Sequence, residues 1–235
     1  MNTESINTAF ASITPLFQQG GPVMYVLLAL SILAVAIILA KLFQFSRSGL
    51  RRTGFVEPAL ADLRQAGHAK VLDDLQQQRG PVARVMESAV RCGADPAMSV
   101  RDVEAEVSRV GSAQIRNLES LLRGLSSIAH LSPLLGLLGT VTGMIAAFSQ
   151  LEEAGSRVDP SILSGGIWEA LLTTAFGLTV AIPAMAAFYY LEGEVDRVRA
   201  LMKDVSVRVL IYFGKSPTHV ETRDSAKLED ETHGL

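Results

Sequence analysis

Residues 162–191 read ILSGGIWEALLTTAFGLTVAIPAMAAFYYL and are apolar almost throughout. A helix crosses a bilayer with roughly 20 apolar residues, so this stretch predicts a transmembrane helix with room for tilt. One ionisable residue, Glu169, interrupts it. A charged side chain at the centre of a membrane costs on the order of 2.5–3.5 kcal/mol on insertion scales, which favours a functional role for Glu169. The alternative is a protonated acid that faces a neighbouring helix and is only tolerated there.

The composition is that of a small integral membrane protein. Of 235 residues, 49% are hydrophobic, and the net charge of -3 gives no reason to expect nucleic acid as a partner. A first apolar run, 23–43, is free of charge until Lys41 and predicts a lipid-facing anchor helix. Basic residues follow this run and are absent from 1–22, so the positive-inside rule places 1–22 outside and the chain from about residue 44 in the cytoplasm.

Residues 44–124 are predicted to form a cytoplasmic insert of soluble helices, because their charges are mixed and nearly balanced. Breaks are expected at Gly67, at Gly80-Pro81 and at Asp95-Pro96. The pattern Ser99-x-x-Asp102 fits a capping box, which opens a helix. Its apolar spacing continues to about residue 125 without a proline, which predicts one unbroken helix that leaves the cytoplasm and enters the membrane.

The second span is predicted at 125–150, and a loop at 151–161 leads to the third span at 162–191. The third helix is expected to continue through 192–213 into the cytoplasm, before a disordered tail at 214–235. Pro133 and Pro183 are predicted kinks. Small residues at helical spacing let another helix approach closely. They predict a packing stripe of Gly136, Gly139, Gly143, Ala170, Gly177 and Ala181.

Four threonines on the second and third spans are candidate partners for Glu169. A buried carboxyl needs hydrogen-bond partners, and hydroxyls can supply them. The alternative is a hydroxyl that bonds a carbonyl of its own helix, which is favoured for Thr142 and Thr173. Thr140 and Thr174 lie in the small-residue stripes and are better placed to line a shared interface. His130, at the cytoplasmic mouth of the second span, is a further candidate for titration and, more often, only an interfacial residue.

Enzyme motifs are absent from the sequence. It contains no glycine-rich phosphate loop, no HExxH and no GxSxG, and the lone Cys92 cannot build a CxxC zinc site. No metal site or cofactor is therefore expected. An intramembrane enzyme is disfavoured because the spans hold no nucleophile–base pair.

Two stretches, SPLLGLLGTVTGM at 132–144 and GIWEALLTTAFGLTVAIPA at 166–184, resemble the ExbB/TolQ group of proton-channel proteins and, more distantly, MotA. The family pattern is P-x-x-G-L-x-G-T-V-x-G followed by G-I-x-E-A-L-x-x-T-A-x-G-L-x-x-A-I-P-A. Both runs occur here in order, with the same number of spans. One departure is Thr142, where many relatives carry tryptophan.

The resemblance implies an all-α membrane protein of the bacterial inner membrane, with a periplasmic N-terminus and a cytoplasmic C-terminus. It implies a homo-oligomeric, pentameric ring around a single-span partner of the ExbD/TolR type. In that family a partner aspartate faces a channel glutamate and two threonines, which correspond here to Glu169, Thr140 and Thr174; Thr173, Thr142 and His130 are supporting candidates. Protons are the coupling ion, and the work passes to a TonB- or TolA-like protein.

Three functions remain open at this level. The first is an ExbB-like motor subunit that energises outer-membrane transport through a TonB-like protein. The second is a TolQ-like subunit of a Tol-Pal-type complex for envelope integrity and cell division. The third is a non-conducting membrane scaffold.

Overall fold

The computed structural model describes residues 21–50, 53–154 and 160–215, and within these ranges every regular element is an α-helix. The predictions for 1–22 and 214–235 fall largely outside the described residues. The predicted loop at 151–161 is wrong at both ends, because residues 151–154 and 160–161 are helical, and 155–159 lie outside the described residues. The helices are α1 (Gly21–Arg47), α2 (Val56–Gln65), α3 (His68–Gln77), α4 (Pro81–Ala94), α5 (Val100–Glu119), α6 (Leu122–Ala154) and α7 (Pro160–Tyr212).

Three of the described helices, α1, α6 and α7, are long and apolar enough to cross a membrane. This confirms the three predicted spans. The third helix is very long, as expected: its 53 residues correspond to about 80 Å at 1.5 Å per residue. The contacts divide the chain into two compact units, one made of 1–41 with 121–191 and one made of 42–120 with 192–235.

The prediction of an unbroken helix into the second span is wrong. Helix α5 ends at Glu119, and α6 begins at Leu122. Leu121 has a φ of 66°, which lies in the left-handed region. This backbone conformation costs free energy for any residue that has a Cβ atom. The Ser120 hydroxyl donates to Asn117 O at 2.8 Å, an alternative to continued helix bonding at this end.

Helix α1 is more than a lipid-facing anchor. One stripe of the helix is buried within the first unit, while large apolar side chains on its other faces are exposed. Ile37 Cδ1 would lie 3.7 Å from a methyl group placed on Gly124, so this stripe faces the start of α6. The buried stripe consists of Met24, Leu27, Ala34, Ile37 and Lys41.

The second unit contains α2–α5 and the part of α7 beyond residue 191. The predicted breaks at Gly67, Gly80-Pro81 and Asp95-Pro96 are confirmed, since a helix ends at or before each of them. The cap at Ser99 is confirmed, since Asp102 N donates to Ser99 Oγ at 3.3 Å, and the Ser99 hydroxyl donates to Asp102 Oδ2 at 2.6 Å. An apolar core fills this unit, with contributions from every one of its helices.

Polar contacts fix the end of α7 within the second unit. The Lys215 ammonium donates to Asp95 O at 2.6 Å and to Met98 O at 3.0 Å, beside the C-terminus of α4. Arg208 makes a bidentate pair with Glu57, at 2.7 and 2.9 Å. The geometry of a bidentate pair is specific, even where the pair is exposed to solvent.

The Glu57–Arg208 pair makes a small, pH-dependent contribution to stability. The hydrogen bond from the Arg208 guanidinium lowers the pKa of Glu57. A lowered pKa means that this contribution is present at neutral pH and is lost as the pH falls through the folded-state pKa, below the ordinary value of about 4.3. We expect Glu57→Gln to lower the Tm slightly at pH 7 and by less at pH 3, measured by thermal unfolding in detergent. An equal effect at both pH values would contradict this.

Candidate functional site

Helices α6 and α7 approach each other along a row of small residues. A methyl group built on Gly177 would lie 2.6 Å from Ser132 O and 3.1 Å from Gly136 Cα. A methyl group on Gly143 would lie 3.0 Å from Ala170 Cβ. At Gly177 backbone therefore packs against backbone, and a methyl group there would overlap α6, whereas Gly143 and Gly136 make tight contacts of 3.0 Å. The predicted packing residues Gly136, Gly139, Gly143, Ala170 and Gly177 lie in this contact, and Ala181 is buried.

Two adjacent threonines of α7 point at one turn of α6. The Thr174 hydroxyl donates to Gly136 O at 2.9 Å, a hydrogen bond between the two spans. The Thr173 hydroxyl donates to Ala170 O of its own helix at 2.7 Å, and its oxygen lies 3.5 Å from Gly136 O. Thr173 is 2% exposed, and a methyl group on Gly139 would lie 2.7 Å from its Cβ. The expected bonding of Thr173 to its own helix is confirmed, and so is the expected interfacial position of Thr174.

The two threonines of α6 bond to their own helix. The Thr142 hydroxyl donates to Leu138 O at 3.0 Å, as expected. The Thr140 hydroxyl donates to Leu137 O at 2.6 Å. Within the described residues it makes no hydrogen bond to α7. Thr140 is half-buried. Its place in a proton path stays a prediction.

Glu169 is half-buried and lies one residue before Ala170, which packs on α6. Among the described residues its carboxyl has no hydrogen-bond or ion-pair partner. At about 100° per residue, Thr173 lies roughly 40° from Glu169 around the helix, and Thr174 lies roughly 140° from it. Within one chain the structure therefore brings Thr173, and not Thr174, to the side of the helix that carries Glu169. The half-buried acid thus lies next to the glycine-lined contact, on the side of the helix that carries Thr173.

His130 and the two prolines are placed as follows. The His130 side chain is exposed, and its Nδ1 donates to Ser126 O of the same helix at 2.7 Å. Pro133 lies inside α6 and Pro183 lies inside α7, and both helices continue past them. Each proline removes one backbone N–H donor and leaves the carbonyl four residues earlier without its usual helical bond.

Two buried polar side chains among the described residues of the first unit escaped the sequence analysis. Lys41 is 0% exposed, although in the sequence it reads as a basic flank of the first span. Its spacing of four residues from Ile37 was a usable signal, because it continues the buried stripe of α1. Ser132 is also 0% exposed, and its hydroxyl donates to Ile128 O at 2.7 Å, so its polar group is satisfied within α6.

The described residues offer no metal site: in 21–50, 53–154 and 160–215, no three His, Cys, Asp or Glu side chains are grouped closely enough to hold an ion. The chemistry available to the site is thus that of one carboxyl group, neighbouring hydroxyls and backbone carbonyls. Such a set can bind and release a proton.

Comparison with known proteins gives one family. The profile of the MotA/TolQ/ExbB proton channel family matches residues 77–204, more than half of the chain. An ExbB-like protein of Synechocystis is 32% identical over 88% of this chain and 98% of its own length. An ExbB homolog of Methanothermobacter thermautotrophicus is 29% identical over 80% of this chain, which spans less than two thirds, 65%, of that relative.

A Tol-Pal system protein TolQ of Haemophilus influenzae is 39% identical over a shorter region, 36% of this chain and 37% of its own length. The profile match includes all of α6 and both threonine-bearing turns and Glu169 of α7. The description of this family names a proton channel and names no enzymatic reaction. With its three apolar spans and its glycine-lined α6–α7 contact, the chain belongs to the MotA/TolQ/ExbB proton channel family.

Proposed function

We propose that this chain is the proton-channel subunit of an energy-transducing complex in the bacterial inner membrane, and that Glu169 is its proton-binding group. The observation that carries the proposal is the position of Glu169. Its half-buried carboxyl lies in an apolar span, at the margin of the α6–α7 contact, without a partner among the described residues. An acid kept at that depth for packing alone would be expected to have a hydrogen-bond partner in its own chain.

The proposed assembly is a pentameric ring around an ExbD/TolR-like single-span protein. Exposed apolar side chains on α6 and α7 support such an assembly, because lipid or neighbouring helices must cover them. They include Leu137, Val141, Ile145, Leu171 and Ile182. The partner would present an acid or another proton acceptor to Glu169. One charge that crosses 100 mV releases about 2.3 kcal/mol. This is the free energy available for moving the partner helix inside the ring.

The downstream task is proposed to be ExbB-like, with the work passed to a TonB-like protein for outer-membrane transport. The ExbB-like relative that aligns over 98% of its length supports this branch. A TolQ-like role in a Tol-Pal-type complex is the second candidate, favoured by the higher identity, 39%, of the TolQ relative over its shorter region. The protein that copurifies with the complex, TonB-like or TolA-like, decides between them.

Native mass spectrometry of the tagged protein, purified in mild detergent from its own host, tests the assembly. We expect five copies of this chain with a small single-span protein that has one intramembrane acid. The same complex in proteoliposomes should carry protons when a membrane potential is imposed, read by an internal pH dye. A monomer or dimer without such a partner would overturn the motor. A ring that contains its partner but carries no protons, and whose function in the cell does not change when an uncoupler is added, would indicate the scaffold.

A further inference from the structure

Thr173 is the fully buried polar side chain nearest to Glu169 along α7. It occupies a position that the family pattern leaves unspecified, E-A-L-x-x-T, in which Thr174 is the specified threonine. Its surroundings are nonetheless constrained on two sides. The side chain lies opposite Gly139, where an added methyl group would be 2.7 Å from Thr173 Cβ and 3.2 Å from Thr173 Cγ2. No side chain on residue 139 would leave room for Thr173.

The hydroxyl of Thr173 lies between two carbonyl oxygens. Its oxygen is 2.7 Å from Ala170 O on its own helix and 3.5 Å from Gly136 O on α6. A hydroxyl fits 2.7 Å from a carbonyl oxygen because the proton lies between the two atoms. A methyl group at the same place would overlap Ala170 O. The side chain is thus held in one orientation by a contact that only an O–H group can make.

A rotation of α7 against α6 would move Thr173 and Glu169 together. Glu169 precedes Thr173 by four residues, which places it one turn away, about 6 Å along the axis and about 40° around it. The Thr174 hydroxyl bonds Gly136 O from the adjacent direction, 100° further around the helix. Both hydroxyls therefore lie near the same carbonyl of α6: Thr174 donates to Gly136 O at 2.9 Å, and the Thr173 oxygen lies 3.5 Å from it.

We infer that Thr173 is a positioning residue for the channel acid: its buried hydroxyl, set against Ala170 O and Gly136 O in the space left by Gly139, fixes the rotation of α7 and with it the direction in which Glu169 points. This inference rests on the proposed role of Glu169 as the proton-binding group. Thr173 itself does not transfer the proton. It determines whether the Glu169 carboxyl faces the partner or turns into the contact between the two helices.

Two variants of Thr173 test the inference in the complete, purified complex. Thr173→Val keeps the shape and replaces the hydroxyl with a methyl group that cannot approach Ala170 O. Thr173→Ser keeps the hydroxyl and removes the methyl group. The control is Thr179→Val, on the same helix, where an exposed hydroxyl donates to Ala175 O of its own helix. The readouts are proton flux in proteoliposomes and the rate at which a hydrophobic carbodiimide labels Glu169, followed by peptide mass.

We expect Thr173→Val to lower proton flux between about 2-fold and 10-fold, the range that corresponds to one hydrogen bond, and to change the labelling rate of Glu169. Thr173→Ser keeps the hydroxyl, so its proton flux and labelling rate should stay within about 2-fold of the unmodified chain. A change of that size corresponds to the smallest net contribution of one hydrogen bond. Thr179→Val should resemble the unmodified chain. Wild-type flux and labelling in Thr173→Val would overturn the inference. If Thr173→Val does not assemble, Thr173→Ser is compared with Thr173→Ala, which lacks the hydroxyl. Equal losses of proton flux in these two variants would assign Thr173 to packing alone and overturn the inference.

Failure of this inference differs from failure of the proposed function. If Glu169→Gln conducts protons like the unmodified chain, the proposed proton-binding group is wrong and Thr173 has nothing to position. If Glu169→Gln is inactive and Thr173→Val is unchanged, only the positioning role is wrong. The carbodiimide readout adds a second distinction, because it reports the accessibility of Glu169 without requiring flux.

Discussion

Replacing Glu169 with glutamine is expected to reduce proton flux to background while the complex still assembles. Glutamine has nearly the same shape and remains able to hydrogen-bond, but it neither takes up nor releases a proton near neutral pH. The substitution also removes the cost of an ionisable group in an apolar span, so folding should not suffer. The measurement is flux in proteoliposomes under an imposed potential, with native mass spectrometry of the same preparation as the test of assembly.

The matched control for Glu169→Gln is Glu192→Gln. Glu192 lies on the same helix, beyond the apolar stretch, and is exposed. Its replacement should leave flux and subunit number unchanged. Two results would contradict the role of Glu169: normal flux in Glu169→Gln, or loss of the assembled complex in Glu169→Gln. The second result would assign the acid to packing, since only a structural contact would then have been lost.

Replacing Gly177 with alanine is expected to destabilise the α6–α7 contact. The new methyl group would meet Ser132 O at 2.6 Å and Gly136 Cα at 3.1 Å. Both are backbone atoms within α6, so no side chain can turn aside to relieve the overlap. Overpacking of this kind costs about 1–3 kcal/mol. The two helices must separate, and the Thr174 bond to Gly136 O should lengthen or break.

Gly193→Ala provides a control of opposite sign. Gly193 lies on the same helix, and a methyl group placed there meets nothing within 4 Å. Alanine is the better helix former, so this variant should gain up to about 1 kcal/mol. Thermal unfolding of the detergent-solubilised protein should therefore show a Tm decrease for Gly177→Ala and an unchanged or higher Tm for Gly193→Ala. Equal shifts would mean that the close approach of α6 and α7 does not hold in the membrane protein.

The three spans, the acid in the third and the small residues that pack α6 on α7 could all be predicted from the sequence. Each is a local property. The length of an apolar run decides whether a helix can cross a membrane, and a helical spacing of glycines decides which face admits another backbone. The breaks at Gly67, Gly80 and Pro96 were predictable for the same reason, because glycine and proline act on the backbone at their own positions.

The break between α5 and α6 was not predictable in this way. The local sequence, Glu119 to Leu122, contains neither glycine nor proline, and an unbroken apolar spacing runs through it. Leu121 nevertheless adopts a left-handed backbone at the boundary of the two units. Packing within each unit outweighs a local preference of about 1–2 kcal/mol, and the sequence of one segment does not record packing elsewhere.

The sequence by itself thus determined a three-span, all-helical membrane protein with one acid in its third span, since these follow from hydrophobicity and helical period. Only the tertiary structure decided which carbonyl of α6 accepts the Thr174 hydroxyl, and that Lys41 belongs to a buried stripe. Both depend on the rotation and separation of packed helices. A change of one residue position turns a side chain by about 100°, and this is enough to exchange the roles of Thr173 and Thr174.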